Sequence, residues 1–468
     1  YGILYMQGNP TQGQSLEEVK ALMLGEIENL KKGNFDDNLI TSIINNQKKI
    51  KILATATYGA RANDLMDAFT SELDWKEQVA YTDQLSKLNK KDIVAFANKY
   101  FQENYVVVLK RKGEDKNIIK VDKPAITPVE TNRDAQSVFV KQVNNMPATP
   151  VKPVWLDYNK DLQKTTIGPA EVLYVQNKDN SLFRLRYRFE TGTWNDKKLG
   201  LAAQYLQFLS TDKKSAEEIT KAFYQIACSF TVSAATEFTT VTIEGLQDNF
   251  TKAVTLFEDV LKNCKADEAA LKSLKARLTK SRTDAKANKG AIMTGLINYA
   301  RYGQKNPYNY TMSDAELNST TAEELVTILH NLNNYAHKIL YYGPQPLAQF
   351  TAGLKTVHTI PAAFTAAPAA VKFTNAVQSK NEVLFADYNM VQSEIRWVRN
   401  SSAYAADKEP VIDIFNNYFG GGMGALVFQT IRESKALAYS TAAVYVIPGK
   451  KEDPFFTTAY VGCQADKF

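Results

Sequence analysis

The stretch LNKKDIVAFANKYFQENYVVVLKRKG at residues 88–113 has a counterpart in TTAEELVTILHNLNNYAHKILYYG at residues 320–343. In the first copy Ile93, Phe96, Ala97 and Phe101 recur at helical spacing. The run Tyr105–Lys110 then reads as a buried strand, and the segment closes on a glycine. Asp92 and Glu324 correspond, and the helical stretches before them, around 36–75 and 266–308, run in parallel. Repetition over so wide a spacing marks duplicated domains, not a solenoid. Alternating helices and strands place the chain in the α/β or α+β class.

Working outward, Tyr1–Met6 reads as a short strand. Ser15 and Glu18 form a capping-box pattern before Val19, Leu22, Met23, Ile27 and Leu30, and Gly33 stops that helix. A second helical region is expected from about Asp37 to Phe69, and a third from near Ser86. Pro124, Pro128, Pro147, Pro150 and Pro153 make residues 114–154 an interdomain linker. Beyond it, strands are expected at Val172–Val175 and Leu182–Glu190. In the latter, Phe183, Leu185, Tyr187 and Phe189 alternate with Arg184, Arg186 and Arg188, giving one apolar and one basic face. Helices at 199–209 and 215–228, strands at 229–233 and 239–246, and helices at 248–263 and 267–286 follow. An Ala/Pro-rich linker covers 359–372, and a last unit runs from 373 to 468.

Composition narrows the function classes. The 468 residues are 44% hydrophobic and 23% charged, with a net charge of +6 from scattered lysines. That is an ordinary globular balance without the clustered basic face of a nucleic-acid binder. Cys228, Cys264 and Cys463 form neither a C-x-x-C pair nor a disulfide framework. No apolar run approaches the roughly 18 residues of a membrane span. The chain opens at Tyr1 inside an apparent strand, without Met or signal peptide, as expected of a piece of a longer polypeptide.

The richest local signal is YFGGGMGALVFQTIRESKALAYS at residues 418–440. Gly420, Gly421 and Gly422 permit positive φ or close backbone approach. Arg432 offers a planar fork for a carboxylate or carbonyl, and the Tyr439 hydroxyl can donate to an oxygen where charge develops. The same residues also fit a helix packed on a sheet with an exposed arginine and a half-buried tyrosine.

This stretch resembles the C-terminal-half signature of the insulinase/pitrilysin family of zinc metallopeptidases. There a glycine-rich loop precedes Phe, Ile or Val, Arg, Leu, Ala or Gly, and Tyr at the spacing of Phe428, Ile431, Arg432, Leu437, Ala438 and Tyr439. Ser434 and Ala436 depart mildly. The resemblance implies repeated α/β rolls, each an antiparallel sheet with helices on one face, arranged as two halves of a clamshell. It assigns 1–113 to the later part of a second domain, 155–358 to a third and 373–468 to the first part of a fourth. It also implies that Arg432, Tyr439 and Gly420–Gly422 bind a peptide or unfolded polypeptide substrate.

The family's zinc motif is His-x-x-Glu-His on a helix, with a further Glu downstream. Residues 200–219, GLAAQYLQFLSTDKKSAEEI, resemble the segment that carries it, but Ala203 and Gln207 stand at the histidine positions and Leu206 at the glutamate. The downstream segment Lys272–Arg282 has no carboxylate. The resemblance therefore implies a degenerate copy with no metal in this chain, zinc being supplied by an upstream catalytic domain. The alternative is a substrate-binding or assembly subunit paired with a separate catalytic chain. A scaffold would leave Arg432 and Tyr439 idle. Family analogy points to the periplasm.

Other chemistry finds little support. His330 and His337 lack acidic or Cys partners at ligand spacing and read as helix-end and surface histidines, and His358, before the Ala/Pro linker, reads as solvated. No G-x-S-x-G elbow is present, and GGGMG is followed by no G-K-S/T and lacks dinucleotide-loop spacing. Arg184, Arg186 and Arg188 fit a solvent face better than the basic wall of a chamber.

Overall fold

The computed structural model describes residues 2–11, 13–111, 113, 117–119, 121, 135–390, 392–435 and 437–464. Tyr1, Pro124, Pro128 and Ala436, named above, lie outside the described residues. The chain divides into two compact units, Tyr1–Gln163 and Lys164–Phe468.

In the first unit the regular elements are helices: α1 (Leu16–Lys32), α2 (Asn38–Thr55), α3 (Tyr58–Thr70), α4 (Trp75–Leu85), α5 (Lys90–Tyr100) and α6 (Val138–Asn144). The capping box is complete at Ser15 and Glu18, and Gly33 ends α1 at φ 72°, where a Cβ would be strained. The region expected to be one helix from Asp37 to Phe69 is two. Thr57 turns extended and its hydroxyl accepts from the Ala60 amide to start α3. The next expected helix begins at Lys90 instead of near Ser86, behind an Asn89–Asp92 capping box.

Neither strand expected in this unit forms. Residues 2–6 and Tyr105–Lys110 run outside any ladder, and Val106 and Val108 are 90% and 88% exposed. Strand propensity is not enough: backbone N–H and C=O groups need partners, and no neighbouring strand lies in the unit among the described residues.

The second unit is built on a six-stranded sheet of β1 (Gln163–Ile167), β2 (Ala170–Gln176), β3 (Leu182–Phe189), β4 (Cys228–Ala234), β5 (Thr239–Leu246) and β6 (His337–Gly343), in the order β1-β2-β6-β3-β5-β4. The pairs β3–β5, β3–β6 and β4–β5 are antiparallel. One pair departs from the expected antiparallel roll: β2 runs parallel to β6, Val172 opposite Ile339. The long helical excursion between β3 and β6 is the kind of connection that parallel pairing elsewhere in a sheet requires. The class is mixed α+β.

The period-2 pattern of β3 decides which face is covered. Phe183, Leu185, Tyr187 and Phe189 are all buried, as are Val241 and Ile243 of β5 and Ile339 and Tyr341 of β6. Over that face lie α7 (Leu199–Tyr205), α8 (Ala216–Gln225), α9 (Phe250–Asn263), α10 (Glu268–Lys286), α12 (Asp314–Ser319), α13 (Ala322–His330) and α14 (Leu347–Val357), while α11 (Lys289–Tyr302) packs outside this core against α10. An aromatic cluster ties helices to sheet: Phe350 stacks 4.1 Å from Tyr341, and Phe250 meets Phe183 edge-on at 5.0 Å. On the other face Arg184 pairs with Glu244 and Arg188 with Glu190.

A three-stranded antiparallel sheet completes this unit: β7 (Gln392–Asn400), β8 (Ser440–Val446) and β9 (Phe456–Gln464), ordered β7-β9-β8, with α15 (Glu409–Phe419) packed on β8. The sequence strand, helix, strand, strand and the order β7-β9-β8 reproduce β3, α7, β4, β5 and their order β3-β5-β4. Helix α11 packs on β7 and on α10. The Arg301 guanidinium lies 3.6 Å over the Phe456 ring, and Lys289 pairs with Glu394 at 2.6 Å.

Phe350→Ala removes a side chain with no exposed surface from the aromatic cluster. It should destabilise the second unit by about 3–5 kcal/mol, read as a lowered urea midpoint at unchanged slope.

Candidate functional site

Helix α7 stops at Tyr205 and tightens into a 3₁₀ turn over Leu206–Phe208. The Tyr205 hydroxyl fixes that turn: it donates to the Asp267 carbonyl and accepts from the Asp267 amide, each at 2.7 Å. Leu206 is buried in the core, Ala203 is half-buried, and exposed Gln207 spends its amide on the Gln204 carbonyl at 3.0 Å. Across from them on α10, Arg277 lies 5.4 Å over the Phe208 ring. Of the three motif positions only Gln207 carries a polar atom, and the facing helix brings a cation. This donor set does not fit zinc. Among the described residues no group of three or more His, Cys, Asp or Glu is placed to hold a metal.

The glycine-rich stretch has a different local logic. At Gly420 the backbone presses against Ala443 of β8: a Cβ there would overlap the Ala443 carbonyl oxygen and come within 2.6 Å of its nitrogen. At Gly421 it would lie 2.8 Å from the Asn416 carbonyl oxygen, whereas Gly422 and Gly424 face open space. None of these four takes positive φ, so close approach and not left-handed backbone is what the run requires.

After the glycines, residues Phe428–Ser434 coil as a π-helix. Single π turns are uncommon and recur at functional sites. Arg432 rides 4.8 Å over the Phe428 ring, its side chain half exposed, with Glu433 at 3.8 Å. Tyr439 is 59% exposed. Its amide donates to the Gly462 carbonyl at 2.9 Å, and its hydroxyl accepts from the Gln464 amide at 3.0 Å. Arg432 and Tyr439 thus share the connection between α15 and β8, both open to solvent, with no hydrogen bond or ion pair between them.

Residues 174–315 match insulinase (peptidase family M16). The match covers strands β3, β4 and β5 of the larger sheet and the helices between them, less than half of the chain. No curated protein matches the chain. Among solved structures, the peptidase M16 inactive domain from Pseudomonas fluorescens aligns at 18% identity and TM-score 0.53 over 65% of this chain and 75% of that one. A mutant ferredoxin protease FusC in complex with Arabidopsis ferredoxin aligns at 11% identity and TM-score 0.55, covering 94% and 52%. The periplasmic protease PqqL from Escherichia coli aligns at 11% and 0.55, covering 97% and 50%. The chain therefore spans about half the length of the two proteases. At these identities the likeness is one of fold.

The second unit also gathers residues that sequence reasoning scattered. His330 is indeed a helix-end residue, its Nε2 3.0 Å from the Cys264 carbonyl oxygen. His337 and His358 are neither surface nor solvated: they are 3% and 4% exposed. Their Nε2 atoms face each other at 3.1 Å, and His358 Nδ1 lies 2.7 Å from Glu258 Oε1. Glu258 belongs to α9, 100 positions away in the chain, so residue spacing held no trace of it. The alternating burial of β6, which puts His337 on the inward face with Ile339 and Tyr341, was the available signal.

Gly420→Ala should cost roughly 1–3 kcal/mol by forcing α15 off β8. Gly422→Ala should stay within about 0.5 kcal/mol. Chemical denaturation of the two variants side by side checks the contrast.

Proposed function

We propose that the chain is the substrate-binding, non-catalytic portion of a zinc-dependent endopeptidase acting on peptides or unfolded polypeptides. The observation that carries this reading is a division of labour within one unit. A domain that resembles the insulinase family has Ala203 and Gln207 at the motif's histidine positions and Leu206 at its glutamate, while Arg432 and Tyr439 stand solvent-open on the connection between α15 and β8. Arg432 has only a distant carboxylate beside it, which leaves its fork available to a substrate terminus or carbonyl. The Tyr439 hydroxyl already accepts from Gln464, so its proton is free to be donated toward a substrate oxygen. Gly420 and Gly421 lie tightly apposed at the base of the same connection, with Gly422 open beside them.

The hydrolytic centre then belongs to another domain of the same polypeptide. The roughly twofold length of the two aligned proteases favours this over a separate catalytic chain. Zinc would be held there and not by residues of this chain.

A quenched fluorescent unstructured peptide tests the reading. The chain alone, with zinc supplied, should neither cleave it nor retain the metal after desalting. A product that includes the catalytic domain should cleave it in a chelator-sensitive way. In that product Arg432→Ala should raise KM about tenfold, equivalent to ~1.4 kcal/mol. Tyr439→Phe should lower kcat by about 10–100-fold, below the loss typical of a full oxyanion donor. Chelator-sensitive cleavage by the chain alone would overturn the assignment.

A further inference from the structure

Helix α14 ends at His358, whose amide donates to the Leu354 carbonyl at 2.9 Å. The segment that follows, expected as a plain linker, lies against the second unit as a strap. Ile360 and Phe364 pack on the core. Thr365 donates to Asn334, Val371 to Trp194 and Ala376 to Arg301, at 2.8, 2.9 and 2.7 Å. Phe373 sits between Trp194 and Tyr310. In the chain the strap precedes β7, the first strand of the sheet next to which Arg432 and Tyr439 lie.

At the root of the strap the protons can be counted. His337 Nδ1 is 2.8 Å from the Tyr335 carbonyl oxygen, which only accepts, so Nδ1 carries hydrogen. Neutral His337 therefore presents a lone pair at Nε2, and His358 Nε2–H must donate to it across 3.1 Å. One further proton lies on the 2.7 Å line between His358 Nδ1 and Glu258 Oε1, while Asn333 donates to Glu258 Oε2 at 3.0 Å. The chain of bonds is complete with His337 neutral. A proton added to His337 Nε2 would set donor against donor in a dry site, a cost borne by whichever group can move.

We propose that Glu258, His358 and His337 form a buried acid-sensitive latch that holds the strap 359–373 on the core and releases it when His337 takes up a proton. The groups facing the pair are accounted for on each packed element. β3 contributes Tyr187, stacked 4.1 Å from the His358 ring, and Phe189, 4.8 Å from His337. α9 contributes Glu258, the turn before β6 Asn333 and Tyr335, and the strap itself Phe364, 5.1 Å from His337. The Tyr187 hydroxyl is buried without a hydrogen bond. Burial first, and the neighbouring Glu258 second, hold its phenol well above the ordinary range, so it does not exchange protons with the latch near neutral pH.

Burial, reinforced by the neighbouring His358, pushes His337 down from 6.5 to about 4. The closed latch binds fewer protons than the open one between those values. Its hold is therefore full above pH 6.5 and is lost progressively as pH falls toward 4.

Hydrogen exchange of the full chain, corrected for intrinsic rates, tests this. Protection of residues 359–373 should fall about tenfold or more between pH 7 and pH 5, while β5 stays protected. In His337→Phe, which keeps an aromatic ring between Phe189 and Phe364, the acid-induced loss should disappear. Nitrogen-15 NMR of the unmutated chain at pH 7 should show His337 as the Nδ1–H tautomer, a readout that needs no variant to fold. Equal protection at both pH values, an unchanged acid response in His337→Phe, or an Nε2–H tautomer would each overturn the latch.

Discussion

The second unit depends on the register of β3 between β5 and β6. Tyr187 opposite Val241 and Ile339 places one aromatic-rich face of the strand under the helices that form the core. A one-residue slip would bury Arg184, Arg186 and Arg188 and expose Phe183, Leu185, Tyr187 and Phe189. The four apolar side chains are each worth on the order of 1.5–3 kcal/mol of burial, and three desolvated guanidiniums would cost several more each. That asymmetry is what makes the sheet a dependable platform for α7, α9 and α14, and hence for the Tyr205 turn and the His337–His358 contact.

Much of this was legible because it is local. The period-2 run at Leu182–Phe189 and the capping box at Ser15 and Glu18 are encoded within a few residues and appear where the pattern puts them. The strands read over residues 2–6 and at Tyr105–Lys110 fail for a reason no local pattern contains: a ladder is a property of two segments. The repeat itself shows this. The helices α5 and α13 correspond down to their N3 carboxylates, yet of the two following segments only β6 has β2 and β3 to pair with. The parallel β2–β6 pair is likewise a fact of topology.

The candidate site divides in the same way. Arg432, Tyr439 and the glycines were visible as residue types, and the structure adds which glycine does what: Gly420 and Gly421 allow contact, Gly422 and Gly424 do not need to. Ala203, Leu206 and Gln207 were visible as missing donors, and the structure adds Arg277 on the facing helix. Glu258, His358 and His337 were invisible as a set because the contact spans α9, α14 and β6. Three ordinary residues far apart in the chain become a single proton-sharing unit only once the sheet closes.

Asn416 bears on how the smaller sheet survives in a crowded solution. Its side-chain amide donates to the Tyr445 carbonyl and accepts from the Tyr445 amide, at 2.9 and 2.8 Å. Those are the two bonds a neighbouring strand would make, and β8 is the outer strand of its sheet. The helix thus occupies a rung of an edge that would otherwise invite another chain to add itself. One carboxamide, reaching back from α15, stands as a guard against edge-to-edge aggregation beside the connection that carries Arg432 and Tyr439.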